Sequence, residues 1–384
     1  MGNPASFTDL LNLARGAGED PFLLLEEPCG QITVGLGAEK TASLEELLGR
    51  QHEDSQPWLG VAPFFPARSP YAWPAWGPSG SFFFQAKRYL QLDAKNFPST
   101  LMKRGLAKAS RKDNHQGAIT PEVWETLLLS ALDFIETGRA EKVVLSRAQE
   151  FKLDRSPSLA DVVERILAEP SPNSYRFVFS REGKIFFGLT PEKLFEQRGL
   201  RVFSDSIAGT ARRGEGAAEE NENSRLLLSS EKNLREHALV VDSIRTKLAS
   251  LGGKLSPPRP PEIMKLAKLL HLRTPLELEL AAGISPLAVL QAIHPTPALA
   301  GFPEAAAIPF LQAKEGYDRG LYAAPLGFFS TKRSLFIAGI RSALLDKDHL
   351  VAFAGAGIVQ GSDPKEEWLE TERKMQTILA LFDK

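Results

Sequence analysis

Hydrophobic and polar positions are spaced differently on the two sides of residue 120. Before it the pattern is broken. Pro57, Pro63, Pro66, Pro70, Pro74 and Pro78 are interleaved with Trp58, Trp73 and Trp76, a turn-rich run with little periodicity. The aromatic residues argue against simple disorder. Residues 31–36 and 81–86 read as strands. After residue 120 the periods sharpen. Pro121–Glu136 reads as a helix and 142–147 (KVVLSR) as a short strand. Residues 175–180 and 184–189 predict a hairpin around Arg181-Glu182-Gly183, and 201–207 another strand. The charged segment 211–223 reads as an exposed loop. A long helix is expected over 224–251, with Leu227, Leu234, Val241 and Leu248 on one stripe. Gly252-Gly253 stops it, and Pro257, Pro258, Pro260 and Pro261 form a surface linker. Further strands are expected at 326–330, 335–341 and 350–354. The last helix has the clearest signals: Asp363 as N-cap, Pro364 at the first helical position and Glu366 completing a capping box. Trp368, Met375, Leu379 and Phe382 form its buried face. Strands and helices mixed without strict alternation predict an α+β fold. The change of pattern divides the chain into an N-terminal region, 1–119, and a second region, 120–384, which carries every candidate for chemistry.

Composition narrows the function classes. Lys+Arg is 46 against Asp+Glu 47, a net charge of −1. Nucleic-acid and membrane-surface proteins usually carry a basic excess, so neither partner is expected. Cys29 is the single cysteine, which excludes an intramolecular disulfide. No apolar run approaches the ~18 residues of a membrane span. Met1-Gly2-Asn3-Pro4 lacks the basic start and apolar stretch of a signal peptide, and Gly2 with Ser6 only touches a myristoylation pattern. A cytoplasmic monomer is the expectation.

Several groups could carry chemistry. Glu367, Glu370 and Lys374 fall at i, i+3 and i+7, one helix face offset from the apolar stripe. Carboxylates one turn apart can hold a hard cation, although a solvated face with Glu–Lys support is the commoner arrangement. Ala354-Gly355-Ala356-Gly357 leaves a strand and leads to that helix, where small residues let a ligand approach the backbone; close strand packing is the plainer reading. Glu236 and His237 sit mid-helix, off the stripe, as a solvated face or with Glu236 as a second metal carboxylate. Glu192 follows Thr190-Pro191. A carboxylic acid in a buried turn there would have a raised pKa and could donate a proton; the alternative is a helix N-terminal Glu. Lys142 opens an apolar strand, where an inward lysine would be desolvated toward a useful base and an edge lysine would not. His294-Pro295-Thr296-Pro297-Ala298 is a rigid loop. His271, among Leu269, Leu270 and Leu272, reads alone as a core histidine. The histidines lack zinc-type spacing, and P-loop, GxSxG and GxGxxG motifs are absent.

In order, these stretches resemble the chorismate-utilising enzymes: KVVLSR (142–147), GLTPEKL (188–194), AGT (208–210), KNLREH (232–237), HL (271–272), HPTPA (294–298), RGLYA (319–323), Ile340-Arg341, GAGIV (355–359) and SDPKEEWLETERK (362–374). The resemblance runs from about 120 to 381. It implies a chorismate-utilising (anthranilate synthase component I-like) fold, with two packed β-sheets, helices outside, and the N-terminal region adding strands to the same body. Within the family the HPTPA run resembles the isochorismate synthases, because the salicylate and amine-forming synthases usually carry Thr where this chain has Ala298.

The resemblance also implies roles. Lys142 would activate water for attack at chorismate C2, and Glu192 would protonate the departing C4 hydroxyl. Glu236 and Glu370 would hold Mg²⁺, with Glu367 supporting it through water. Lys374, with the backbone around Gly209 and Thr210, would meet the ring carboxylate. Tyr322, Arg341 and the Gly355–Gly357 backbone would meet the enolpyruvyl carboxylate, and His271 and Ala298 would line the ring. Many relatives carry Asp where this chain has Asn233, which implies somewhat weaker Mg²⁺ affinity. The alternatives are a salicylate synthase, an ammonia-using anthranilate or aminodeoxychorismate synthase component, and an inactive chorismate-binding subunit. Menaquinone, a catecholate siderophore and salicylate all begin from the product that the resemblance implies.

Overall fold

The computed structural model describes residues 6–48, 56–62, 64, 81–94, 111–114 and 119–382. Of the proline-rich run, Pro63 and residues 65–80, which include Trp73 and Trp76, lie outside the described residues, as does Gly2. Among the described residues no helix is long and apolar enough to cross a membrane.

The chain folds as α+β. Its 18 described strands form one continuous antiparallel hydrogen-bonded network, and strands throughout it contribute side chains to the larger hydrophobic core. Phe82 on the strand Phe82–Asp93 and Phe179 on Tyr175–Arg181 meet across it, 6.4 Å between centroids. Strands from the first 93 residues enter the network directly: Phe22–Glu26 pairs with Tyr175–Arg181, and Trp58–Val61 with Pro325–Phe329. Phe22–Glu26 shows why its apolar run is unbroken. Leu23 and Leu25 point into the larger core, and Phe22 and Leu24 into a second core under the helices Phe7–Arg15, Leu159–Ala168 and the end of Pro364–Leu379. Alternate side chains leave a strand on opposite faces, so a strand covered on both is apolar throughout.

Several expected elements differ. Residues 211–223 are not a loop. The strand Arg201–Arg212 takes the start, only residues 213–216 are a connection, and the helix Ala217–Ser229 takes the rest. That helix buries only Leu227 and is laced with ion pairs, Arg213 to Glu220 at 2.5 Å and Lys265 to Glu220 at 2.6 Å. A polar helix has no apolar period to announce it. The expected helix over 224–251 is two helices. Ser230 is extended and ends the first, and its hydroxyl accepts from Asn233 N to cap the second, Glu231–Ser250. Leu227 therefore stands on a different helix from Leu234, Val241 and Leu248. The expected strand 335–341 stops at Ala338; Arg341 turns with φ 48° into the next strand, Ser342–Asp346. The 354–357 run does not leave its strand either, because His349–Ile358 pairs with Lys142–Leu153 through Ile358. In the last helix Asp363 accepts from the N–H groups of Lys365 and Glu366. Met375 and Leu379 are buried, Trp368 is half-buried, and Phe382 is buried beyond the helix end.

One buried ion pair braces the site. The Arg319 and Glu315 side chains are 0% and 1% exposed and bonded to each other. Glu315 also accepts from Ser146 N and Oγ, at 2.7 and 2.9 Å. Arg319 donates to Val144 O at 2.6 Å and Leu299 O at 2.7 Å, tying the strand of Lys142 to the loop of Ala298. Removing one partner leaves an uncompensated buried charge, so Arg319→Leu should destabilise the protein by about 3–5 kcal/mol in urea unfolding. A loss below ~1 kcal/mol would show that this cluster does not support the fold.

Candidate active site

A cavity of about 570 Å³ opens between the strand network, the helix Glu231–Ser250 and the last helix, Pro364–Leu379. Every candidate residue lines it: Lys142, Glu192, Gly209, Thr210, Glu236, His271, Ala298, Tyr322, Arg341, Gly355, Gly357, Glu367, Glu370 and Lys374. They come from ten separate stretches of chain, so the fold alone brings them together.

Lys142 is the first residue of Lys142–Leu153, and it points inward, 1% exposed. Its Nζ donates to Glu236 Oε1 at 2.8 Å. Gly357 lies beside this pair; a Cβ there would sit 2.8 Å from Lys142 Cε and 3.0 Å from Glu236 Oε1. That accounts for a glycine within a paired strand. Gly355 leaves similar room, since its Cβ would come within 2.8 Å of the Tyr322 hydroxyl. The Tyr322 ring stacks on Phe353, 5.5 Å between centroids, and burial pushes its phenol pKa up.

Glu192 stands in the connection between Lys184–Thr190 and Lys193–Arg198, not at a helix start. It is buried, and burial pushes its pKa up to about 7 against the opposing pull of a Thr296 hydrogen bond and the charges of Lys142, Lys374 and Arg341. A carboxyl with that value can hold a proton near neutral pH and release it.

Two cations face the cavity for anionic groups. Lys374 donates to Gly355 O at 2.9 Å and pairs with Glu370 at 2.7 Å. Arg341 is 6% exposed and its Nη2 donates to His271 Nε2 at 2.5 Å. A guanidinium only donates, so His271 accepts at Nε2 and carries its proton at Nδ1. That Nδ1 lies 3.1 Å from both Gly209 O and Thr210 Oγ1. Gly209, at φ 78°, is the irregularity where Arg201–Arg212 pairs with Leu269–Glu279. His271 is therefore no isolated core histidine. Burial and the Arg341 charge hold its pKa well below the usual imidazole value. His237, expected on a solvated face, is 2% exposed and bonded to Thr274 Oγ1 at 2.8 Å.

The carboxylates suit a hard cation by donor type. Burial and the neighbouring Glu370 raise Glu367 to about 7, a charge deficit that a bound cation would relieve. Burial would raise Glu370 too, but Lys374 and the other cavity lysines bring it below its usual value. Glu236, Glu367 and Glu370 do not converge as a three-donor group: among the described residues no three such side chains stand close enough to hold a metal. Lys142, Lys232 and Lys374 occupy the counter-charge positions instead, with Lys232 Nζ 3.7 Å from Glu367.

Asn233 lines the cavity too, as do Lys232, Ala323 and Arg373, which were not singled out as site residues by type or spacing. Ala323 carries a signal visible only in three dimensions, a φ of 60°. Asn233 bonds Ser230 Oγ at 2.8 Å through its side-chain amide.

The family profile described as chorismate binding enzyme matches residues 86–383. A salicylate biosynthesis isochorismate synthase from Pseudomonas aeruginosa is 37% identical over 257 residues, 66% of this chain and 53% of that protein. Isochorismate synthase MenF of Bacillus subtilis is 33% identical over 258 residues, 67% of this chain and 55% of that protein. The match thus spans about half the length of these curated relatives. Among solved structures, the menaquinone-specific isochorismate synthase MenF from Escherichia coli superposes with a TM-score of 0.82 at 25% identity, covering 99% of this chain and 93% of that one. Anthranilate synthase component I from Streptococcus pneumoniae shares the fold, with a TM-score of 0.70 at 21% identity over 94% of this chain and 90% of that one. With the profile covering most of its length, the chain belongs to the chorismate-binding enzyme family.

Proposed function

We propose that this protein converts chorismate to isochorismate. The observation that carries the reading is one cavity holding both a buried amine, Lys142, and a buried carboxyl poised near neutrality, Glu192. The similarity to isochorismate synthases at 33–37% identity supports the same reaction.

The chemistry follows from two poor groups. Water is a weak nucleophile and hydroxide a weak leaving group. In its uncharged form Lys142 takes a proton from water as its oxygen bonds to C2, and Glu192 in its protonated form gives a proton to the C4 oxygen as that bond breaks. One water enters and one leaves, and the two residues are reset by proton exchange with solvent. Arg341, oriented by His271, and Lys374, oriented by Gly355 O, meet the two carboxylates of the dianion. Glu236 and Glu370 would be the direct carboxylates for Mg²⁺ with Glu367 acting through water, so no cluster of three converging carboxylates is needed, and the ion when bound would supply positive charge to the conjugated ring carboxylate. Ala298 leaves space where other members of the family place a threonine.

The test is a product assay with chorismate, with and without Mg²⁺, and a parallel arm containing ammonium, resolved by liquid chromatography. Isochorismate formed only with Mg²⁺ is the expected result. Salicylate with pyruvate, or an aminated product, would overturn the branch within the family. No turnover with chorismate still bound would identify a binding subunit.

A further inference from the structure

We infer that Thr296 is a positioning residue for Glu192: its hydroxyl holds one carboxyl oxygen and leaves the other to carry the transferred proton. Thr296 is 2% exposed and its Oγ1 donates to Glu192 Oε1 at 3.3 Å. The loop around it is tightly held. The Thr296 carbonyl accepts from Leu299 N and Ala300 N, both at 3.0 Å, and Lys247 Nζ donates to Pro295 O at 2.6 Å. The hydroxyl is therefore presented by fixed backbone. Such a donor binds the carboxylate more strongly than the acid, so its bond strengthens as Glu192 gives up its proton. The inference rests on the proposed reaction and adds a second role to the loop that carries Ala298.

The groups whose charges act on Glu192 are Lys142 from its strand, Arg341 from its turn, Lys374 from the last helix, and Tyr322. None changes in Thr296→Val, which keeps the shape and removes the donor. In that variant the alkaline limb of kcat/KM should move up by about one pH unit, since a bond to the charged form is lost. Its kcat should fall by about 10- to 100-fold from lost orientation. Thr296→Ser should restore both. Infrared titration of the substrate-free protein, with Glu192→Gln identifying the carboxyl band, should show the same upward shift of the midpoint. A Thr296→Val enzyme with wild-type kcat and an unmoved limb and band would overturn the inference. Wild-type protein that forms no isochorismate would instead overturn the proposed reaction, and the infrared midpoint would still decide whether Thr296 acts on Glu192.

Discussion

Lys142→Ala should lower kcat by ~10²–10⁴ while chorismate still binds. The lysine opens its strand, is 1% exposed, and has its Nζ directed into the cavity at Glu236. Alanine removes the amine and leaves the Glu236 carboxylate without its 2.8 Å partner. The groups assigned to the substrate carboxylates are held separately, Arg341 by His271 and Lys374 by Gly355 O. Affinity should therefore stay within a few-fold of wild type in calorimetric titration, and single-turnover rates should carry the loss. Wild-type turnover would remove Lys142 as the base. Lost binding at unchanged chemistry would make it a carboxylate ligand instead.

Glu192→Gln should cost a comparable factor in turnover, because glutamine keeps the shape but cannot protonate a leaving hydroxyl. The pH dependence gives this prediction a sign. Burial raises the carboxyl to about 7, so the acid form prevails below that value and kcat/KM should fall as pH rises through it. Stability shows the same group without substrate. A folded-state pKa above the unfolded value stabilises fully below about 4.5 and loses that contribution as pH rises through about 7. Glutamine does not titrate. The variant should gain on wild type across that window, by on the order of 3 kcal/mol at pH 8. Urea unfolding at pH 4.5 and pH 8 measures the difference. An offset that does not change with pH would mean that Glu192 is ionised at both values.

What was legible in the sequence was local. Asp363-Pro364 marks a helix start because a side-chain oxygen two or three residues from free N–H groups can cap them wherever the helix lies. Glu182-Gly183 marks a hairpin because both residues take positive φ in the tight turn. The ordered motifs named the family and the residue types of its cavity. The local signals failed where the local rule was incomplete. The helix Ala217–Ser229 has no apolar stripe, and Ser230, one more serine in a polar stretch, proved to be a cap that splits a helix in two.

The tertiary structure decided which residues touch and in what protonation state. Lys142 meets Glu236 across 94 positions and Thr296 meets Glu192 across 104, distances that no periodicity spans. Arg341 and His271 are 70 apart, and only their contact fixes which imidazole nitrogen carries the proton. Glu192 and Glu370 are both glutamates, yet burial lifts one to about 7 while a neighbouring lysine brings the other below its usual value. A side chain's chemistry is written in the residue, but its pKa depends on the charges and solvent around it, and those are set by strand order and helix docking over the whole fold.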